Sequence, residues 1–255
     1  MLENKKFTIN KNDYIAYRQI NQISSTHRLV FFPGLKSNMN SSKASHVQNY
    51  CQNRQLDYLC FDYLGHGESS GTFEDFNMSD WLNSSLAIID KFADKPLIFV
   101  GSSMGAWLML LIAKQRPLLT KSIVSIAAAP DFTDKLIWQK LSPDAQNDLI
   151  KKGFMLLNEH NDYEPIKITH NLIEDGKKHL ILSDQLNIAC PCYLLHGMSD
   201  KDVPYDFSLQ LAEILTSQEI EVRLVKEATH SFSTDKHLEK IDSVIDKILK
   251  NLEEY

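Results

Sequence analysis

The stretch PLIFVGSSMGAWLMLLIAKQ, residues 96–115, decides how the chain folds. PLIFV is an apolar run of strand length, whereas AWLMLLIAKQ has the length and apolar density of a buried helix. Between them lies Gly101-Ser102-Ser103-Met104-Gly105, so the segment reads strand, sharp turn, helix. Such a bend forces its central residue into strained backbone angles, and glycines two positions to either side leave room for strand and helix to pack closely. Ser103 is then presented at the carboxyl edge of a sheet. The bland alternative is a glycine-rich turn with an idle serine, but the flanking strand and helix are the context that G-x-S-x-G requires.

Outward from this segment, short apolar runs alternate with helix-period stretches. That rhythm implies crossover units and an α/β fold, a mainly parallel sheet covered on both faces. The strand candidates are 28–32 (RLVFF), 58–61 (YLCF), 96–100 (PLIFV), 122–127 (SIVSIA), 192–195 (CYLL) and 222–225 (VRLV). Residues 7–9 and 14–18 precede any helix and read as an opening antiparallel hairpin around Asn10-Lys11-Asn12-Asp13. Helical period marks 80–92, with Ser79 as its N-cap, then 207–215 and 238–252.

The interval 131–183 breaks the rhythm and is too long for a plain loop, so it reads as an insertion within one domain spanning 1–255. Inside it, Ser142-Pro143 opens a helix that Gly153 stops, 158–165 is a polar loop, and Thr169 caps a second helix ending near Gly176.

Composition narrows the function classes. Hydrophobic residues at 43% and charged residues at 24% suit a globular chain with a full core. A net charge of −6 argues against a protein that neutralises phosphates, so nucleic acid is not an expected partner. The four cysteines, Cys51, Cys60, Cys190 and Cys192, lack metal-ligand spacing, the last two forming C-P-C, and read as reduced thiols. No apolar run follows Lys5 and Lys6, and no stretch approaches the ~18 apolar residues of a membrane span. A cytoplasmic protein is the expectation.

A serine hydroxyl is a poor nucleophile until a base takes its proton. In sheets with this elbow the order along the chain is nucleophile, acid, histidine, the histidine following the last strand. His230, after VRLVKEAT and before the final helix, fills that place better than His237, which opens the helical pattern itself and reads as a solvated surface residue. The acid belongs after CYLLHG, where Asp200 lies nearer the strand end than the minority candidate Asp202. An oxyanion hole needs two preorganised N–H donors: Met104, after the nucleophile, and Leu35, in the tight turn Pro33-Gly34-Leu35. His66 and His196 read as structural, and 62–69 as a wall of the site. Neither metal nor cofactor is called for.

The segments FDYLGHGESSG, VGSSMGAWLML, LLHGMSDKDVP and ATHSF together resemble the α/β-hydrolase superfamily along nearly the whole chain. Within it, FFPGLKSNMNSSKA, GSSMGAWLMLL and LLHGMSDKDVP are similar to the tenth branch of the animal α/β-hydrolase-domain series, mitochondrial acyl-protein thioesterases that also hydrolyse acyl glucuronides; this chain would be a bacterial-type relative. The resemblance implies a mostly parallel eight-stranded sheet with helices on both faces and a small cap between strands six and seven. It also implies hydrolysis of small-molecule or acyl-protein esters and thioesters, through Ser103, Asp200 and His230 with Leu35 and Met104 as the oxyanion hole. Two departures stand out: no transit peptide precedes Phe7, and 131–183 carries no matching motif. Leu136, Trp138, Leu141 and Phe154 there read either as helix core or as an acyl-binding wall. Competing readings are a catalytically idle pocket for a small ligand and a carbon–carbon bond hydrolase with the same three residues.

Overall fold

The structure is a computed structural model that describes residues 2–157 and 165–253; all but Pro165 of the expected loop at 158–165 lies outside them. In chain order the elements are β1 (Lys5–Thr8), β2 (Tyr14–Ile20), β3 (Arg28–Phe32), α1 (Ser42–Asn53), β4 (Asp57–Phe61), α2 (Met78–Lys91), β5 (Leu97–Ser102), α3 (Met104–Gln115) and β6 (Thr120–Ile126). They continue with α4 (Pro143–Lys152), β7 (Phe154–Leu157), β8 (Ile166–Thr169), α5 (His170–Gly176), β9 (Cys192–Gly197), α6 (Asp206–Ile214), β10 (Ile220–Val225) and α7 (Asp235–Glu253).

Eight strands form one sheet in the order β1-β2-β4-β3-β5-β6-β9-β10. β2 pairs antiparallel with both β1 and β4, and every pair from β4 to β10 is parallel. All eight strands expected from the sequence are present. Alternation across the pleat divides the core in two. Val30, Phe32, Phe61, Phe99 and Leu194 pack under α2, α3 and α6, while Leu29, Phe31, Tyr58, Val100 and Leu195 pack under α1 and α7. α3 is buried almost all round, as its unbroken apolar sequence requires.

Local chemistry explains most boundaries. Ser142 Oγ accepts from the Ala145 N–H at the start of α4 and Gly153 ends it at φ 79°, while Thr169 caps α5 through the Leu172 N–H. The cap of α2 differs from expectation: Asn77 accepts from the Asp80 N–H, Asp80 accepts from the Asn77 N–H, and Ser79 turns instead to Asp175. Three elements were not expected. α1 buries Ala44, Val47, Tyr50 and Cys51 on one face, a stripe too small and polar to stand out in SKASHVQNYCQN. Between β6 and β9, β7 and β8 form an antiparallel pair of their own. Asp131 closes the base of that excursion, accepting the Ile181 and Leu182 N–H groups at 2.9 and 3.0 Å.

The elbow places Ser103 at φ 55°, ψ −123° between β5 and α3. A Cβ on Gly105 would meet the Pro33 and Phe32 carbonyl oxygens at 2.2 and 2.3 Å, and one on Gly101 would meet Ala106 Cα at 2.8 Å. These neighbours are backbone and cannot swing aside. Gly105→Ala is therefore expected to lower stability by about 3 kcal/mol, the upper end of overpacking, read as a drop in the urea midpoint with unchanged slope.

Candidate active site

Parallel strands end at one edge, and that edge collects the residues singled out from sequence. Ser103 follows β5, Asp200 follows β9, and His230 follows β10. The hydroxyl of Ser103 lies 3.0 Å from His230 Nε2, and His230 Nδ1 lies 2.8 Å from Asp200 Oδ2. A carboxylate only accepts, so Nδ1 carries the proton toward Asp200 and Nε2 is left to accept from Ser103. Asp202 does not make this contact: its side chain is exposed, and its N–H donates to Asp200 Oδ1. His237 is not the solvated residue expected, since its ring stacks on Phe232 at 4.9 Å between centroids.

The side chain of Asp200 is fully buried. Burial alone would raise its carboxyl. Hydrogen bonds from His196 and His230, the charge of His230 and the Val203 N–H outweigh that and hold it well below the usual carboxylate range. His196 contributes from a fully buried position, its Nε2 3.3 Å from Asp200 Oδ2 and 3.0 Å from the Val203 carbonyl, while the Ser208 hydroxyl donates to its Nδ1 at 2.7 Å. His196 is thus hydrogen-bonded as expected, and it also touches the acid.

The loop after β3 runs beside the elbow, a Gly34 Cβ falling 3.4 Å from Ser103 Cβ. The N–H groups of Leu35 and Met104 donate to no other group among the described residues, and both residues line the cavity that contains Ser103 and His230. That cavity measures about 400 Å³, within the ~300–1,000 Å³ of small-molecule sites. Phe132, Leu136, Ile137 and Leu157 give it an apolar side, and Ser41, Lys43, Lys201 and Asp202 a polar one. Of the four apolar residues read as a possible wall, only Leu136 reaches it. Trp138 and Leu141 pack on the core and Phe154 is exposed.

Residues 62–69 do not line the cavity. Asp62 instead takes the Met39 and Glu68 N–H groups at 2.7 and 2.9 Å, bracing the loop that carries Leu35. His66 lies edge-on among Tyr63, Phe73 and Trp81, and burial lowers it to about 4. Lys43 was not singled out from sequence. Its ammonium donates to the Ser231 carbonyl, and burial pushes it down to about 8, with the Asp200 carboxylate drawing it back part of the way.

Asp200, Asp202 and His230 bring possible cation ligands within 4.8 Å of one another. Both oxygens of Asp200 already accept from protein donors, so a cation there would compete with the His230 N–H. All four cysteines are free. No helix of the described residues is long and apolar enough to cross a membrane.

The family profile described as alpha/beta hydrolase fold matches residues 27–158. The mitochondrial palmitoyl-protein thioesterase ABHD10 of Mus musculus is 34% identical over 241 residues, covering 92% of this chain and 80% of that protein. The structure of mouse ABHD10 superposes with a TM-score of 0.90 at 30% identity, covering 98% of this chain and 99% of that one. A crystal structure from Agrobacterium vitis S4 gives 0.93 at 29% identity, covering 97% and 99%. These names overturn the cytoplasmic expectation, because relatives matching nearly the whole chain are named mitochondrial. Reduced thiols and missing apolar runs report redox state and hydropathy, which many compartments share, and carry no address.

The Asp200 shift has a stability consequence. A carboxyl lowered in the folded state stabilises above its unfolded value of about 3.9, and that contribution disappears as pH falls through the folded value. Asp62 and Asp131, both raised by burial, act with the opposite sign but are common to wild type and variant. The gap in urea midpoint between the unaltered protein and Asp200→Asn should be widest near neutrality and shrink below about pH 4.

Proposed function

This chain belongs to the α/β-hydrolase fold family and acts on esters or thioesters, and we propose that it does so by acyl transfer to water through Ser103. The observation that carries this reading is the unbroken hydrogen-bonded path from the Ser103 hydroxyl through His230 to Asp200 at a cavity wall. Ser103 Oγ attacks the acyl carbon while its proton passes to His230 Nε2. Asp200 holds the ring in the required tautomer and stabilises the imidazolium.

The oxygen that becomes negative lies toward the Leu35 and Met104 N–H groups, both free to donate and the latter at the N-terminus of α3. The imidazolium returns its proton to the departing alcohol or thiol, leaving an acyl ester on Ser103. Water, deprotonated by His230, then attacks that ester, and the acid leaves with Ser103 restored. Each bond broken is matched by one formed, with no outside electron or metal.

We read 131–183 as a cap whose apolar residues receive the acyl part, with Phe132, Leu136, Ile137 and Leu157 against the chain and the polar side facing the leaving group. This supports an acyl thioesterase or carboxylesterase. Palmitoyl thioesters of proteins, the substrate in the name of the mouse relative, are one member of that class.

A base contributes ~100- to 10,000-fold and one oxyanion donor ~100- to 1,000-fold. Ser103→Ala should therefore all but abolish release of p-nitrophenol from acyl esters and all labelling by a fluorophosphonate probe, with the melting curve retained. Labelling that persists in that variant refutes the assignment. Paired esters and thioesters from acetyl to palmitoyl, with a diketone as control for carbon–carbon cleavage, then fix acyl length and leaving group.

A further inference from the structure

The turn that carries His230 is anchored firmly at its ends. Before it, the Ala228 carbonyl accepts the Ser199 N–H at 3.0 Å and lies so close to Gly197 that a Cβ there would meet it at 2.2 Å. After it, Phe232 is fully buried at φ 44°. Between these points, Ser231 is exposed and its carbonyl is held by the ammonium of Lys43, which arrives from α1, 188 residues away in sequence. α1 is itself fixed to α7 by His46 against Asp242 at 2.7 Å and by Tyr50 against Asp246 at 2.5 Å. Lys43 thus links the histidine turn to a helix that packs directly on the sheet.

The electrostatic setting makes this tie unusual. Lys43 is half-buried, and among the described residues no carboxylate lies within ion-pair distance of it. The first turn of α1 holds no acid. The charged groups sharing the cavity with Lys43 are His230, Lys201 and Asp202, and Asp200 lies behind His230. A lysine that serves only to decorate a surface keeps its ammonium in water. This one gives up hydration to reach a single carbonyl next to the base.

We propose that Lys43 is a positioning residue for His230, fixing the imidazole by holding the Ser231 carbonyl beside it. The inference rests on the reading of Ser103, His230 and Asp200 as the reacting set. Displacement of a reacting group by about 1 Å can cost 100-fold, so loosening this tie is a matter of rate and not of binding.

The test compares the unaltered protein with Lys43→Met, which keeps the stem and loses donor and charge, and Lys43→Arg, which keeps both. kcat and KM for p-nitrophenyl butyrate are measured at one pH near neutrality, alongside Tm. Lys43→Met should lose about 10- to 100-fold in kcat with KM unchanged. Lys43→Arg, which can still reach the Ser231 carbonyl, should recover most of that loss. A Lys43→Met protein with unaltered kcat overturns the inference. So does a loss shared between kcat and KM, or a fall in kcat with no rescue by arginine, either of which would mark a merely structural residue. If the unaltered protein neither turns over the ester nor takes up a fluorophosphonate, the proposed reaction falls and this inference with it.

Discussion

Ser103 sits in a backbone conformation that a residue with a side chain avoids, and its surroundings leave it no other. Its N–H donates to the Ile126 carbonyl at 3.0 Å, and its own carbonyl accepts from Ala106 at 3.0 Å and Ala129 at 3.2 Å. β6 and α3 therefore grip the residue from both sides, and Gly105 brings the helix against the Phe32 and Pro33 carbonyls with no room to spare. Such strain costs on the order of 1–3 kcal/mol and persists only where packing over-determines it. Lys36, Ala127, Asp131 and Phe232 also have positive φ and lie in loops at the carboxyl edge, while Gln55, in the turn from α1 into β4, has it at the other, so most of this strain falls where side chains must be aimed.

The same edge solves an electrostatic problem. A carboxylate out of water is costly unless donors surround it. Asp200 is surrounded by the Asp202 and Val203 N–H groups on one oxygen and by two histidine rings on the other. The loop after β9 thereby wraps its own acid, and the tip of β10 need only bring His230 to a carboxylate already charged and fixed. His196 and His230 share one oxygen but not one role. The first is sealed in the core with both ring nitrogens bonded, and the second keeps an edge open to the cavity.

What the sequence revealed follows from how local the determinants are. Eight strands, the elbow and three side chains were legible because each rests on a short pattern: an apolar run, a glycine spacing, a position relative to a strand end. The wrapping of Asp200 was not legible, because it depends on where the Asp202 and Val203 N–H groups point once the loop is folded. α1 was not visible, because its buried stripe is Ala44, Val47, Tyr50 and Cys51 and its identity as a helix is decided by the sheet and α7 around it. Lys43 shared that fate. Its meaning depends on a carbonyl 188 residues away, and nothing local to SSKA distinguishes it from a surface lysine.

On the proposed reading, chemistry and selection are built from different material. Ser103, Asp200, His230 and the two free N–H groups all hang from strands of the main sheet, or from the helix that continues one of them, and their geometry is as rigid as the sheet. The apolar side of the cavity comes from residues 132–157, which leave the sheet after β6 and return only at β9. Asp131 is the seam between the two, its carboxylate clasping the Ile181 and Leu182 N–H groups so that the excursion starts and ends at one point. An excursion pinned at its base can change length and sequence without moving the elbow. On the proposed reading, acyl preference can therefore change in this family without changing the reacting atoms, and the part of the chain without a legible motif is the part where the substrate is chosen.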